Sequence, residues 1–330
     1  MSDPALWITE EDVVRLVGMR EAIDAVERGL ALEAEGDAVG MGKTFVRFGA
    51  QRQALQALGA ASASAGVAAT KTWVQSPDGG WPLLVLFETS GGRRVAVVEA
   101  TALSQLRTGA LSGIATRLLA EPGADEMAVI GSGRQASTQV AAVAAVRKLR
   151  RLRVWSPTPA HRHRFAARMR EAFGCEVVES PSAAAAAQGA PIVTAAAHVT
   201  TPVLSAAMLA RGAHVNAVSV TVSGRAELQP DVLPRCASVC TDSLQAVRDL
   251  SDEFRAHYGA RNAWGEVRSL AAALAAGMRR PPGADLTLYK GMGTGIADLA
   301  LAIEVLARAR LQGVGLKLPD LALADPRLSR

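Results

Sequence analysis

The sequence predicts an α/β protein with a doubly wound parallel sheet, joined to a second, α+β domain, and three observations carry that expectation. The apolar run Met127-Ala128-Val129-Ile130 ends in Gly131-Ser132-Gly133-Arg134-Gln135-Ala136, a G-x-G-x-x-A turn, and opens into an Ala/Val-rich helical pattern over residues 134–147. A second β-like run, residues 152–156, follows about 25 residues on, the spacing of a strand-helix-strand unit built for a dinucleotide. Further β-like runs at 175–178, 190–194 and 214–220 alternate with helical or Ala-rich stretches, and that alternation builds a parallel sheet.

Each position of the turn has a physical reason. Gly131 permits the tight turn, Gly133 lets backbone approach a pyrophosphate with no Cβ in the way, and the small Ala136 lets the helix pack close to the strand. The helix start, with Arg134 and Gln135 in its first turn, offers unpaired N–H groups and a positive dipole end to phosphate. These features describe a Rossmann-type dinucleotide-binding domain over residues 121–294, in which the Ala tract 183–187 is a helix between strands.

The residues before the turn have a different character. Residues 10–35 are expected to form one amphipathic helix, opened by Thr9 with acidic residues in its first turn. Alternating segments follow at 43–48, 53–60, 67–74, 82–88 and 93–98, and residues 83–89 and 93–99 around Ser90-Gly91-Gly92 form a hairpin pattern. A helix over about 102–120 stops before Glu121-Pro122-Gly123, and an apolar-periodic helix at 295–311 is expected to return to this first unit. The expected division is therefore a substrate-binding and dimerisation domain from residues 1–120 and 295–330, with the dinucleotide domain between them.

Composition narrows the function classes. With 330 residues, 49% hydrophobic, the chain buries a large core. A net charge of +5 invites nucleic acid, but the cations are scattered and aromatics make up only 4%, too few for base stacking. The dense basic run 147–153 falls at a helix end, where solvated cations are favoured. No run has the length of a membrane span and no basic-then-apolar leader is evident, so a cytoplasmic protein is expected. Cys175, Cys236 and Cys240 form no C-x-x-C pair and have no nearby His, which argues against a metal or a disulfide.

Three cations are candidates for substrate contact. Lys71 ends a run of small residues within an otherwise apolar strand, where an amine is either a solvent-reaching end or a buried functional group. Arg107 lies among small residues near a helix start, where an arginine either reaches a carboxylate or lies on the surface of the helix's first turns. Arg47 alternates with apolar neighbours in Thr44-Phe45-Val46-Arg47-Phe48, the pattern of a solvated strand residue when taken alone.

With those segments in order, the chain resembles the ornithine cyclodeaminase/mu-crystallin family over nearly its full length. The resemblance rests on Lys71 in the 66–73 strand, on Arg107-Thr108-Gly109-Ala110 followed by Ser112-Gly113-Ile114-Ala115-Thr116-Arg117-Leu118-Leu119-Ala120, and on the glycine turn. It extends to His214-Val215-Asn216-Ala217-Val218 and Tyr289-Lys290-Gly291-Met292-Gly293. It implies a two-domain, usually dimeric subunit acting on a small imino or amino acid. Arg47, Lys71 and Arg107 would line the substrate pocket, the arginines clamping a carboxylate and Lys71 serving proton transfer. Val218 and Met292 would lie against the cofactor. The family chemistry is hydride exchange at the carbon between a carboxylate and a nitrogen, with nicotinamide as hydride carrier.

One position departs from the cyclodeaminases of this family. They carry an aspartate shortly after the Asn-Ala strand, where this chain aligns Thr221, and a threonine hydroxyl is no general base near neutral pH. The expectation is thus reduction of a ready-made cyclic ketimine. The alternatives are an ammonia-releasing cyclodeaminase, for which Asp231 would have to substitute, an amino-acid dehydrogenase, or a nucleotide-dependent ligand-binding protein. At the end of the second strand, Trp155-Ser156-Pro157-Thr158-Pro159 lacks the acid that holds the ribose of NAD. Ser156 and Thr158 are expected to bond a 2′-phosphate and Arg162 to neutralise it, which favours NADPH, with NADH as the alternative.

Overall fold

A computed structural model describes residues 3–49, 53–76, 79–322 and 324–328. The chain opens with β1 (Leu6–Ile8), α1 (Glu10–Leu16) and α2 (Met19–Ala34), then runs through β2 (Ala38–Phe48), β3 (Gln53–Ser62), β4 (Val67–Gln75), β5 (Leu83–Glu88) and β6 (Arg94–Glu99) into α3 (Thr101–Leu119). The helix expected over residues 10–35 is two helices. Val17 is extended, Gly18 caps α2, and the Glu21 carboxylate accepts the Gly18 N–H at 3.1 Å, so the chain turns where the periodicity suggested continuity.

The second half follows the expected alternation: β7 (Glu126–Ile130), α4 (Arg134–Val146), β8 (Arg151–Trp155), α5 (Pro159–Phe173), β9 (Glu176–Glu179), α6 (Ala183–Ala187), β10 (Ile192–Ala195) and β11 (His214–Ala217). Beyond the segments read from sequence come β12 (Cys236–Thr241), α7 (Leu244–Leu250), α8 (Asp252–Phe254), β13 (Val267–Ser269), α9 (Leu270–Ala275) and β14 (Leu286–Lys290). The chain closes with α10 (Gly295–Gln312) and β15 (Leu316–Lys317).

Two sheets result. One is mixed, seven-stranded, in the order β15-β1-β6-β5-β4-β3-β2, and the other is wholly parallel, eight-stranded, in the order β13-β12-β14-β11-β10-β7-β8-β9. In the parallel sheet the order reverses at β7, with β8 on one side and β10 on the other. That switch point opens a crevice at the carboxyl ends of the strands, directly above the glycine turn. Met127, Ala128, Val129 and Ile130 are all fully buried, as expected of a strand covered on both faces.

Small residues bring the layers close. A Cβ on Gly109 would stand 2.8 Å from the Thr138 carbonyl oxygen and one on Gly113 3.2 Å from that of Ala142, so α3 and α4 pack with backbone near backbone. Arg147, from the basic run expected to be solvated, instead donates to the carbonyls of Thr116 at 3.1 Å and Ala120 at 3.2 Å, closing the end of α3. Its neighbours Arg151 and Arg153 pair with Glu126 at 3.2 and 2.7 Å. Among the described residues no helix is long and apolar enough to cross a membrane, and no group of His, Cys, Asp or Glu is arranged to hold a metal ion.

The N-terminus of α10 meets β3 at Gly295, and the helix lies across β2, β3 and β4 as well as α2 and α3. A Cβ there would fall 1.9 Å from the Gly59 carbonyl oxygen, which belongs to rigid strand backbone. Gly295→Ala is therefore expected to lower stability by about 3 kcal/mol or more. A urea titration reads this directly, and an unchanged midpoint would refute the close seating of α10 on the sheet.

Candidate active site

The glycine turn leaves the start of α4 uncovered. Gly131 has φ of 129°, a region open to glycine, and a Cβ on it would sit 2.7 Å from backbone of Ala196. Its N–H donates to the Trp155 carbonyl at 2.7 Å, tying the turn to β8. Gly133 is the N-cap of α4 with no side-chain cap, and a Cβ on it would meet no atom within 4 Å. The first N–H groups of α4 thus face open space, and this fits a dinucleotide pyrophosphate. Exposed Arg134 stands at that rim, Gln135 turns toward the cavity, and Ala136 is fully buried in the core between β7 and β8.

At the tip of β8 the Ser132 hydroxyl donates to that of Ser156 at 2.9 Å, and Arg162 Nη1 donates to the Ser156 carbonyl at 2.9 Å. Thr158 is the N-cap of α5 with its hydroxyl free of a capping bond. The three residues expected at the 2′-position are therefore neighbours. The sequence reading missed Glu179 at the end of β9, whose Oε2 lies 3.7 Å from Arg162 Nε. It comes from the next strand, about 20 residues beyond the fingerprint position, so no local pattern pointed to it.

Between the two sheets is a cavity of about 370 Å³ lined by Lys43, Lys71, Trp73, Arg107, Gln135, Val218, Thr221, Asp242 and Met292, among others. Sheet register explains how its floor forms. Leu58, Lys71, Leu84 and Val98 pair in one cross-strand row on the core face. The irregularity between Met41 and Thr44 sets Lys43 opposite Leu58, in the same row.

Lys71 is 3% exposed, and its Nζ lies 2.8 and 2.7 Å from the two oxygens of Asp298 in α10 and 2.9 Å from the Ser104 hydroxyl. Arg107 Nε donates to the same carboxylate at 3.0 Å, and its Nη groups run toward Gly293 at the cavity wall. Burial pulls the Lys71 amine down to about 8; Asp298 opposes this and Arg107 reinforces it. Burial, with Arg107 again, pulls Lys43 down to about 8 against the pull of Asp242. The Lys43 amine donates to the Thr221 hydroxyl at 3.4 Å.

Arg47 is not brought to this cavity. It pairs with Ala54 in the row of Gln75, four residues past Lys43, so it stands about 13 Å farther along β2. There it is exposed, its guanidinium 5.4 Å from the Phe45 ring centroid. Alternation alone did not distinguish Lys43 from Arg47, because both lie on one face and the bulge that brings Lys43 inward leaves no sequence mark. Asp231 is likewise remote, its carboxylate accepting the Ala206 N–H at 3.1 Å outside the cavity, so it does not substitute for an acid at Thr221.

Two acids that the sequence reading passed over hold the walls. Asp242 accepts the N–H groups of Met292 at 2.7 Å and Gly293 at 2.8 Å and so fixes the turn after β14, while its burial pushes its pKa up. Glu227 is fully buried beside Lys290 and accepts the Ser219 N–H at 2.8 Å, which fixes the loop that carries Val218 and Thr221. Glu253 completes this ion cluster, 3.1 Å from Lys290 Nζ.

The profile of the ornithine cyclodeaminase/mu-crystallin family matches residues 5–312. A Δ1-pyrroline-2-carboxylate reductase from Bacillus cereus is 29% identical over 72% of this chain and 73% of its own. Among solved structures, the Thermococcus litoralis Δ1-pyrroline-2-carboxylate reductase in complex with NADH and L-proline superimposes with a TM-score of 0.90 at 25% identity, over 95% of this chain and 100% of that one. An archaeal alanine dehydrogenase dimer with bound NAD gives 0.88 at 26% identity, over 96% and 99%. Since the profile runs through nearly the whole sequence and the backbone agreement extends through both sheets, the chain belongs to the ornithine cyclodeaminase/mu-crystallin family.

Proposed function

We propose that the protein is an NAD(P)H-dependent imino-acid reductase that converts a cyclic ketimine, Δ1-pyrroline-2-carboxylate or Δ1-piperideine-2-carboxylate, to proline or pipecolate. The observation that carries this reading is the juxtaposition of Lys43, Lys71 and Arg107 around one cavity, beside a helix N-terminus suited to a dinucleotide. The activities named for the Bacillus and Thermococcus relatives support it.

In this reading the Nη groups of Arg107, with Lys43, hold the substrate carboxylate, and Lys43 takes the part expected of Arg47. Lys71 is the proton donor to the imine nitrogen. Asp298 orients its amine, and burial brings its proton affinity near the working pH, where general acids act best. Reduced nicotinamide, when bound, supplies the hydride to the imine carbon. The C=N bond thus gains one hydride and one proton and becomes CH–NH. Loss of ammonia requires a base where Thr221 stands; a hydroxyl held by Lys43 does not act as one.

Ser156, Thr158 and Arg162 favour NADPH in this assignment. Residues 121–294 form the dinucleotide domain, and residues 1–120 with 295–330 the substrate and dimerisation domain. Val46, Leu55 and Val74 form a row on the outer face of the mixed sheet and are 64%, 46% and 44% exposed. This apolar face supports a homodimer, in keeping with the archaeal relative. Three free thiols suit a cytoplasmic setting.

The deciding assay follows NADPH consumption with Δ1-pyrroline-2-carboxylate beside ammonia release from ornithine. NADPH loss without ornithine deamination is expected; ammonia and proline from ornithine would overturn the proposal. Lys71→Ala should lower kcat by about 100-fold or more while cofactor affinity stays within about twofold.

The lysines also set a pH profile. Their proton affinities are depressed to about 8, so both are charged below that pH and neutral above it. The kcat/KM for reduction should hold below about pH 8 and fall as pH rises through it; a flat profile to pH 10 would remove both amines from the proposed roles.

Gly133→Ala tests the cradle separately. A Cβ there touches nothing in the protein, so stability should be retained while cofactor affinity falls by about tenfold. Retained affinity would show that the pyrophosphate lies elsewhere.

A further inference from the structure

Dinucleotide sites discriminate between a ribose hydroxyl and a 2′-phosphate mainly through the charge at the tip of the second strand. Here that tip carries no acid, and the carboxylate nearest to Arg162 comes from the neighbouring strand. Glu179 pairs in register with Val154, so its side chain emerges on the same face as Ser156, against α5. Its Oε2 lies 3.7 Å from Arg162 Nε, a separation that compensates charge without a hydrogen bond, and that Nε is buried with no hydrogen-bond partner. Its Oε1 lies 3.0 Å from His163 Nδ1 and 3.9 Å from Arg170 Nη2. Arg162 is therefore held at the strand tip by the bond from Nη1 to the Ser156 carbonyl, with its charge partly offset on the buried Nε side.

We infer that Glu179 is the residue that sets cofactor discrimination in this protein, acting through Arg162. This rests on the reading that Arg162 meets the 2′-phosphate. A bare guanidinium would attract the phosphate dianion strongly, whereas one fully engaged in a bidentate pair would have neither charge nor donors left for it. An acid one step removed leaves the donors free and weakens the attraction, so the site accepts both the phosphate and the neutral hydroxyl. Glu179 is a positioning residue in this inference, acting through Arg162.

The test is the pair of dissociation constants for NADPH and NADH, measured on the full chain by nicotinamide fluorescence, for the unaltered protein, Glu179→Gln and Arg162→Met. Glu179→Gln keeps size and hydrogen bonding but removes the charge. It should raise the preference for NADPH by about fivefold, with NADH affinity within about twofold. A purely structural role would move both constants together, and that result, or an unchanged ratio, overturns the inference. Arg162→Met should weaken NADPH by about tenfold and leave NADH nearly unaffected. If Arg162→Met leaves the ratio unchanged, the 2′-phosphate reading fails and the inference falls with it. If only Glu179→Gln is silent, the reading stands and Glu179 is excluded. The NADH constant reports in each variant that the site is folded.

Discussion

The carboxylate of Asp298 is buried between two cations that reach it from distant parts of the chain, Lys71 across 227 residues and Arg107 across 191. A buried charge of this kind is tolerable only when paired and hydrogen-bonded, and removing one partner strands the others. β4, α3 and α10 are therefore held to one another at the point where the cavity needs its cations. The acid lies on the helix whose first residue touches β3 backbone, so helix placement and side-chain placement depend on the same close contact.

Three cations, Lys43, Lys71 and Arg107, line this cavity with Asp242, and Asp298 pairs with two of them from behind. The excess is spread unevenly. Asp298 is spent on Lys71 and Arg107 Nε, Asp242 on the backbone N–H groups of Met292 and Gly293, and the remaining donors of Arg107 and Lys43 are left toward the cavity. Such an arrangement attracts an anion while each buried acid is paired with a cation or accepts backbone hydrogen bonds. Depressed proton affinity in both lysines follows first from their burial, and the positive charge of Arg107 adds to it.

The glycine turn relies on backbone, whereas the cavity relies on side chains. Gly131, Gly133 and the open start of α4 depend on the absence of atoms, and this leaves a strong local signature in the sequence. The loop over the cavity depends instead on Lys290, Glu227 and Glu253, a buried cluster drawn from three separate segments. Its members are ordinary charged residues in the sequence and acquire a role only by contact.

What the sequence determined by itself is what local chemistry encodes: the glycine turn, the strand and helix periods around it, the small-residue run of α3, the apolar period of α10, the family, and Lys71 and Arg107 as candidates within its motifs. It misjudged the break at Gly18, where one glycine interrupts a pattern apolar on both sides, and it omitted the short strands β12 to β14, which carry few period-defining residues. The tertiary structure alone decided that Lys43 and not Arg47 enters the cavity, that Asp298 and Asp242 hold its cations and turn, and that Glu179 stands behind Arg162. The physical reason is range. Backbone turns and helical periods are set within a few residues, whereas strand register, bulges and buried ion pairs are set by segments that meet only after the chain has folded.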